Sequence, residues 1–317
     1  MQVSELIKNR NGKTGFSFEL LPPLKGNSIQ QVFNVVERLK EFDPKYINIT
    51  THHSENVYEK CEKGILHKRN LRKRPGTVAI AAAIQNKYNI TAVPHIITKG
   101  FSKEETEYAL LDLSFLGVTD LLLLRGDSSK LDEEQLALDS HEYATGLQNQ
   151  VNNFNKGISY DGSTFDPPLE PFLYGMACYP EKHADSPDMR TEIYYLKKKV
   201  ENGADYLVTQ MFFDNKKYFK FVELCKKENI HVPIIPGIKP IHTKDQLIVL
   251  PKIFRTTLPD VLSKELKACK TDEDAKELGI KWGIKQCEEL ISHKVPSIHF
   301  YSFMASESVY EIAKEIY

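Results

Sequence analysis

The sequence predicts an α/β protein, a single (β/α)8 barrel spanning residues 1–317. Three observations carry this reading. Eight short β-rich runs recur along the chain, several of them almost continuously apolar, as parallel strands covered on both faces are. Longer amphipathic segments fill the gaps between them. Where a doubly wound sheet would carry a Gly-rich phosphate turn after its first strand, this chain has Pro22-Pro23, and no G-x-G-x-x-G occurs anywhere.

The first strand is FSFEL (16–20). A helical pattern follows over 28–42, with Ser28 as N-cap and Val32, Val35, Val36 and Leu39 at helical spacing. YINIT (46–50) and TAVPHI (91–96) are the next strands. The helix KEETEYALLDLSFLG ends at Gly117, a good residue beyond a helix C-terminus, and DLLLLR (120–125) is the fourth strand. Residues 155–172 are rich in Gly, Pro, Asp and Ser and read as a long irregular loop inside one domain. FLYGMACY (172–179) follows. A helix is predicted from Ser186-Pro187 to Gly203, with Met189, Ile193, Leu196 and Val200 on one face. DYLVTQ (205–210), VPIIPGI (232–238) and SIHFYS (297–302) complete the strands, and about 242–293 reads as wholly helical, with more than one helix.

Composition narrows the function. Hydrophobic residues are 41% and charged residues 27%, ordinary for a globular protein with a large core. The net charge of −1 gives no global attraction to nucleic acid or to an anionic membrane, so neither is expected as a partner. The five cysteines are widely spaced, without a C-x-x-C pair, which suggests neither a disulfide framework nor a metal site. No signal peptide and no bilayer-spanning run is legible, and the expectation is a cytoplasmic protein.

A barrel of this class places its chemistry at the carboxyl ends of the strands. Those ends offer Glu19, then Thr50, Thr51 and His52, then His95, then Arg125-Gly126-Asp127. The later strands offer Tyr179 with Glu181 and His183, then Thr209 and Gln210, Pro236-Gly237, and His299 with Tyr301. Alternation puts Phe16, Phe18 and Leu20 on one face and Ser17, Glu19 and Leu21 on the other. If the apolar face meets the helices, Glu19 points into the barrel. A desolvated carboxyl there keeps its proton near neutrality, as a general acid requires. A solvated acid at a strand end satisfies the same pattern, and alternation alone leaves both readings open. Arg125-Gly126-Asp127 directly follows an apolar strand, which speaks against an exposed adhesion loop. Gly126 allows close backbone approach, and Arg125 suits a phosphate or an ion pair with Asp127. Glu192, Tyr195 and Lys199 form one polar helical stripe, either a ligand-facing rim or a solvated face.

The motifs FELLPP, INIT, VPHI, LRGD, YPEKH, LKKKV-x-x-GAD, TQMFFD, IIPGIKPI and HFYS occur in this order over residues 14–304. Together they resemble the methylenetetrahydrofolate reductase family in its short form, without a regulatory domain. The resemblance implies a flavoprotein barrel. Hydride passes from NADH or NADPH to FAD, and from FAD to 5,10-methylenetetrahydrofolate. It implies Glu19 as the acid that protonates folate N10, and Asp127 as a residue near flavin and pterin that tunes the flavin and helps bind folate. It implies Gln210 on the pterin, Thr50 near substrate and cofactor, and Gln246 on folate or nicotinamide. FAD would be lined by Thr50, His95, Arg125, Gly126, Asp127, Tyr143, Ala144, Tyr179, His183, Glu192, Tyr195, Lys198 and Lys199. No metal is implied, and a homo-oligomer is expected. The sequence departs from the family in its 155–172 loop, longer than in compact bacterial members, and at three further places. Phe303-Met304-Ala305 stands where an arginine usually follows HFYS, Ala184 follows His183 in place of proline, and Tyr195 replaces a smaller polar residue. A proline-dehydrogenase-like flavin barrel and a non-catalytic folate- or flavin-binding subunit are the alternatives.

Overall fold

A computed structural model describes residues 2–9, 12–52, 55–60, 66–126, 139–303 and 306–317. Its elements run α1 (Val3–Lys8), β1 (Gly15–Leu20), α2 (Gln30–Leu39), β2 (Pro44–Ile49), β3 (Glu55–Lys60), β4 (Leu66–Leu71), α3 (Thr77–Tyr88), β5 (Thr91–Ile97), α4 (Lys103–Phe115), β6 (Asp120–Leu124) and α5 (Ala144–Phe154). They continue with β7 (Leu173–Cys178), α6 (Met189–Glu201), β8 (Tyr206–Thr209), α7 (Asn215–Lys227), β9 (Ile234–Ile235), β10 (Gly237–Ile238), α8 (Gln246–Phe254), α9 (Asp260–Ala268), α10 (Asp272–Ser292), β11 (Ser297–Phe300) and α11 (Ser306–Ile316). Parallel strands alternating with helices make this the (β/α)8 barrel class that the sequence predicts. By contact density the chain falls into two compact units. One comprises Met1–Leu20, Asn34–Asn48 and Leu173–Tyr317, the other Leu21–Phe33 and Ile49–Phe172.

In the first unit, β10, β11, β1 and β2 lie side by side in that order, as do β7, β8 and β9. Ser17 stands opposite His299 and Phe18 opposite Phe300, while Gly237 stands opposite His299 from the other side. The register is held by aromatic packing on one face. The Phe16 ring lies 5.7 Å from Phe18, 5.6 Å from Phe300, 5.8 Å from Phe42 and 5.5 Å from Tyr317, centroid to centroid. Tilted and edge-on pairs at such distances stabilise beyond their area burial. The predicted seventh strand is divided at Pro236, which has no N–H to give to a ladder. Its carbonyl still accepts from His299 N at 3.0 Å.

The stretch read as helical with more than one helix holds three, α8, α9 and α10. Arg255, at φ +56°, ends α8, and Thr271 opens α10 with a capping box shared with Asp274. Between them Met211, Phe213, Ile241, Leu250, Leu262 and Leu266 bury a common core. The helix predicted from Ser186 starts instead at Met189, capped by Asp188, whose carboxylate accepts from Thr191 N.

In the second unit β5 pairs parallel with β6, His95 opposite Leu122. Helix α4 begins in a reciprocal Ser102–Glu105 capping box, and Gly117 follows its end at φ +66°, as predicted. Ser28 accepts from Gln30 N at 3.1 Å, the cap expected before α2. Residues 155–172 are irregular and tied down. Asn155 exchanges two hydrogen bonds with the Phe172 backbone, and Glu107 accepts from Ser159 Oγ and Tyr160 N. The antiparallel hairpin of β3 and β4, and helices α1 and α11, have no counterpart in the sequence prediction.

Gly279 yields a test of the packing. A Cβ there would fall 2.1 Å from the Ile241 carbonyl oxygen, a backbone atom that cannot swing away. In a helix interior Gly→Ala ordinarily stabilises by up to about 1 kcal/mol. Here overpacking, costing roughly 1–3 kcal/mol, outweighs that gain. Gly279→Ala is therefore expected to lower the urea midpoint. Gly283→Ala, which meets only the movable tip of Ile312 at 2.5 Å, is expected to cost less.

Candidate active site

The parallel register builds the site in the first unit. Side chains on one face of β1 point away from the aromatic cluster, and they are Ser17 and Glu19. Both are buried, Glu19 at 4% exposure. Ser17 Oγ lies 3.1 Å from His299 Nδ1 and donates weakly to the Ile298 carbonyl at 3.4 Å. The other ring nitrogen, Nε2, lies 3.9 Å from Glu19 Oε2, so the imidazole stands between Ser17 and the carboxyl. Tyr46 stacks parallel to the His299 ring, at 4° and 6.3 Å. Burial pushes its phenol up, against the smaller pull of the Ser17 and Ser297 hydroxyls.

The next residues along the same strands close the carboxyl end. Tyr301 Oη donates to the Thr209 carbonyl at 2.6 Å, and Thr209 Oγ1 accepts from Gly237 N at 2.9 Å. Gly237 has a steric reason to be glycine, because a Cβ would sit 2.5 Å from the Tyr301 ring and 2.4 Å from the Thr209 oxygen. Ser302 Oγ donates to the Glu19 carbonyl. Lys239, just past β10, is buried, and its Nζ donates to the Tyr301 carbonyl at 3.4 Å. Burial lowers its pKa to about 8, opposed by the charge of Glu19. Gln210 follows β8 half-buried, and its Oε1 accepts from the neighbouring Met211 N at 2.8 Å. Gln246 Oε1 accepts from His242 N at 2.7 Å, so this side chain braces the entry into α8.

Around the end of β7, Glu192 is buried and accepts from His183 N at 3.1 Å and Ser186 Oγ at 2.6 Å. The His183 ring stands edge-on to Tyr179 at 4.7 Å. Lys199 donates to the Ala177 carbonyl at 3.1 Å, and burial lowers its pKa against the pull of Glu192. The structure therefore joins Tyr179, His183, Glu192 and Lys199. Tyr195 is exposed, and Lys198 points to the outer groove between α6 and α7, its Nζ 4.5 Å above Tyr194.

The second unit carries the other predicted positions. His95 is buried on β5, and its carbonyl accepts from Thr51 Oγ1; Thr50 is half-buried one residue earlier. The Arg125 carbonyl, just past β6, accepts from Thr98 Oγ1 at 2.9 Å and Lys99 N at 3.1 Å. Its guanidinium lies 5.2 Å over the Tyr143 ring. Gly126 adopts φ +83°, where a side chain is strained, and a Cβ there would crowd Ile97 at 3.3 Å. Tyr143 is the N-cap of α5 and Ala144 its first residue, and among the described residues no side-chain cap is made there. Asp127, with Met304 and Ala305, lies outside the described residues.

Ser17, Tyr46 and Lys239 join the site without having been singled out from the sequence. Ser17 had a signal in sharing the face of Glu19. Lys239 had one as a lone charge in the apolar run IIPGIKPI.

Fold and site define a (β/α)8 barrel with a buried carboxyl–imidazole pair at its strand ends. Comparison with known proteins gives the family: the methylenetetrahydrofolate reductase family model matches residues 3–317, and the chain belongs to that family. It is 28% identical over 321 residues to "Methylenetetrahydrofolate reductase (NADH) 1" of Arabidopsis thaliana, covering 97% of this chain and 49% of the relative. It is 26% identical over 315 residues to the 5,10-methylenetetrahydrofolate reductase of Buchnera aphidicola subsp. Baizongia pistaciae, covering 98% and 94%. The chain thus spans about half the length of the plant relative and nearly all of the bacterial one. Among solved structures, a Clostridium thermocellum protein described as binding two copies of 5-methyl-5,6,7,8-tetrahydrofolic acid superposes with a TM-score of 0.57 at 16% identity. It covers 99% of this chain and 98% of its own, which supports the fold. Among the described residues no helix is long and apolar enough to cross a membrane.

His242, next to the site, makes stability depend on pH. Burial first, then the charges of Lys239 and Lys276, lowers its pKa from the usual 6.5 to about 4. The folded chain keeps this ring neutral while the unfolded chain takes up a proton below pH 6.5. Stability is therefore lost as pH falls from 6.5 towards 4. His242→Gln is expected to flatten this part of the urea-midpoint profile relative to wild type. Parallel profiles would refute the assignment.

Proposed function

We propose that this chain reduces 5,10-methylenetetrahydrofolate to 5-methyltetrahydrofolate with a reduced nicotinamide as donor and FAD as the carrier, residues 1–317 acting as one catalytic domain. Family membership supports the reaction, and the observation that carries the chemistry is Glu19, buried with the imidazole of His299 beside it. Each unit by itself offers groups suited to part of a flavin dinucleotide. In the second unit, Arg125 and the first turn of α5, which has no side-chain cap among the described residues, suit phosphate oxygens, and Gly126 permits close approach of the backbone. In the first unit, buried Glu192 and half-buried Lys199 suit ribose and phosphate. FAD, when bound, supplies the two-electron step between the nicotinamide and the folate.

The chain's own residues handle the proton. Glu19 protonates folate N10, which opens the imidazolidine ring to an iminium at N5, the form that accepts a hydride. His299 then faces the carboxylate left on Glu19, and Ser17 keeps the imidazole turned towards it. Gln210 offers its amide donors to the pterin edge. Nicotinamide and folate take turns at one site, so the kinetics are ping-pong.

Glu19→Gln separates the steps. The variant is expected to keep its flavin and its reduction by NADH, followed by bleaching of flavin absorbance. Reoxidation by methylenetetrahydrofolate is expected to slow by about 10²–10⁴, the usual contribution of a positioned acid. Equal rates in both half-reactions would remove Glu19 from the acid role. A flavin bleached by NADH that folate fails to reoxidise in the wild-type protein would sink the folate reading and favour another flavin barrel oxidoreductase.

A further inference from the structure

Lys239 has no role in the reading above, yet few positions in the first unit are so costly for a charge. It is 8% exposed. Among the described residues its Nζ has one hydrogen-bond acceptor, the Tyr301 carbonyl at a long 3.4 Å, for three donors. An ammonium so placed is destabilising unless a counter-charge balances it.

The register shows where that counter-charge lies. Gly237, His299 and Ser17 stand in one row across β10, β11 and β1. Two residues further along each strand path, on the same face, are Lys239, Tyr301 and Glu19. The pairing continues to that level, since Tyr301 N donates to the Ile238 carbonyl at 2.9 Å. The chain beyond β11 then covers Lys239. Phe303 adopts φ +43°, a region that bulky residues avoid at a cost of order 1–3 kcal/mol. This turn lays its ring 4.8 Å from Lys239 Nζ and nearly parallel to Tyr301, at 6.1 Å and 17°. A strained residue maintained over a buried cation fits a site in which that cation has work to do.

We propose that Lys239 is a positioning residue for Glu19, its ammonium stabilising the carboxylate that remains once Glu19 has given up its proton. This rests on Glu19 being the acid. In the step, the O–H bond of Glu19 breaks, an N–H bond forms at the substrate nitrogen, and the electron pair stays on the carboxylate oxygen. No electrons move to or from the protein. The charges of Glu19 and Lys239 act on each other, so the ammonium favours the carboxylate that the step leaves. With Lys239 the row holds one positive and one negative charge. Among the described residues, the other titratable groups beside this cation are Tyr301 on β11 and His242 before α8. Lys276 on α10 lies beyond His242. Tyr301 stays neutral because burial and the Glu19 charge raise its pKa well above the usual range. His242 stays neutral near pH 7, its pKa lying at about 4. His299 lies 3.9 Å from Glu19 at the adjacent level, and Lys239 carries the positive charge of the row below about pH 8.

The test is the folate half-reaction of the flavin-loaded protein against pH in wild type, Lys239→Met, Lys239→Arg and Glu19→Gln, with the NADH half-reaction as internal control. Lys239→Met is expected to keep the NADH rate and to lower the folate plateau rate by about ten- to a hundredfold, as for loss of one nearby charge. It should also move the alkaline fall-off to higher pH, because a carboxyl without its cation holds its proton longer. The gap from wild type should narrow as pH rises through about 8, where Lys239 itself becomes neutral. Lys239→Arg should restore the plateau and keep the gap open above that pH. Unchanged plateau and fall-off in Lys239→Met, or a rise in folate KM alone, overturns the proposal. So does a Lys239→Met variant that loses both half-reactions while Lys239→Arg fails to restore the folate plateau. If Glu19→Gln itself keeps the folate half-reaction, the acid reading fails instead, and the two failures are told apart.

Discussion

A carboxyl can be buried among aromatic strands only if the face it occupies is made polar by its neighbours. That constraint governs the first unit. Parallel pairing of β10, β11 and β1 sets Ser17 and Glu19 beside His299, with Gly237 opposite, and leaves Phe16, Phe18 and Phe300 on the reverse face. A slip of one residue would exchange the faces, putting Glu19 among the phenylalanines and Phe18 among the polar groups. Burial on both sides therefore specifies the register twice. The aromatic packing is what makes the acid's environment reproducible.

The polar face is stabilised locally as well. Ser17 orients His299, Thr209 receives both Tyr301 and Gly237 N, and Ser302 holds the Glu19 carbonyl. Each bond contributes only about 1 kcal/mol net, but leaving such a group buried and unmade costs more. The second unit uses backbone in the same way. Thr98 and Lys99 converge on the Arg125 carbonyl and fix the end of β6, so the guanidinium leaves from a rigid strand end towards Tyr143.

The eight strands were legible because each is a short apolar run closed by polar residues, and the parallel class needs little else. The division at Pro236 was legible in kind, since a residue without an N–H weakens any ladder, but its consequence for pairing required the neighbouring β11. The β3–β4 hairpin was not legible, because ENVYEK and LHKRNL lack the apolar runs that marked the other strands. That 242–293 holds more than one helix was legible, but the break points at Arg255 and before Thr271 were not. LIVLPKIF and the segments around it keep helical composition through the turn, and a left-handed Arg255 has no composition signal. Among site residues, Glu192 and Lys199 were readable as one stripe. That Lys198 faces the outer groove follows from its helical phase, which the resemblance overrode.

Glu19 and Lys239 carry the same sequence signal, a single charge in an apolar run. Only the first was read as chemistry, because two neighbouring strands were needed to give the second a partner. Taken separately, each is a costly buried ion. Three strands in register turn the two costs into one interaction, with Tyr301 between them and His299 a level below. Sequence periodicity reports which face a residue takes along one strand. The electrostatics of this site are set across strands, by pairing between residues 18 and 300 and between residues 238 and 300. Phe303 shows how far the chain goes to keep that arrangement, since it accepts a left-handed backbone to lay a ring over the cation.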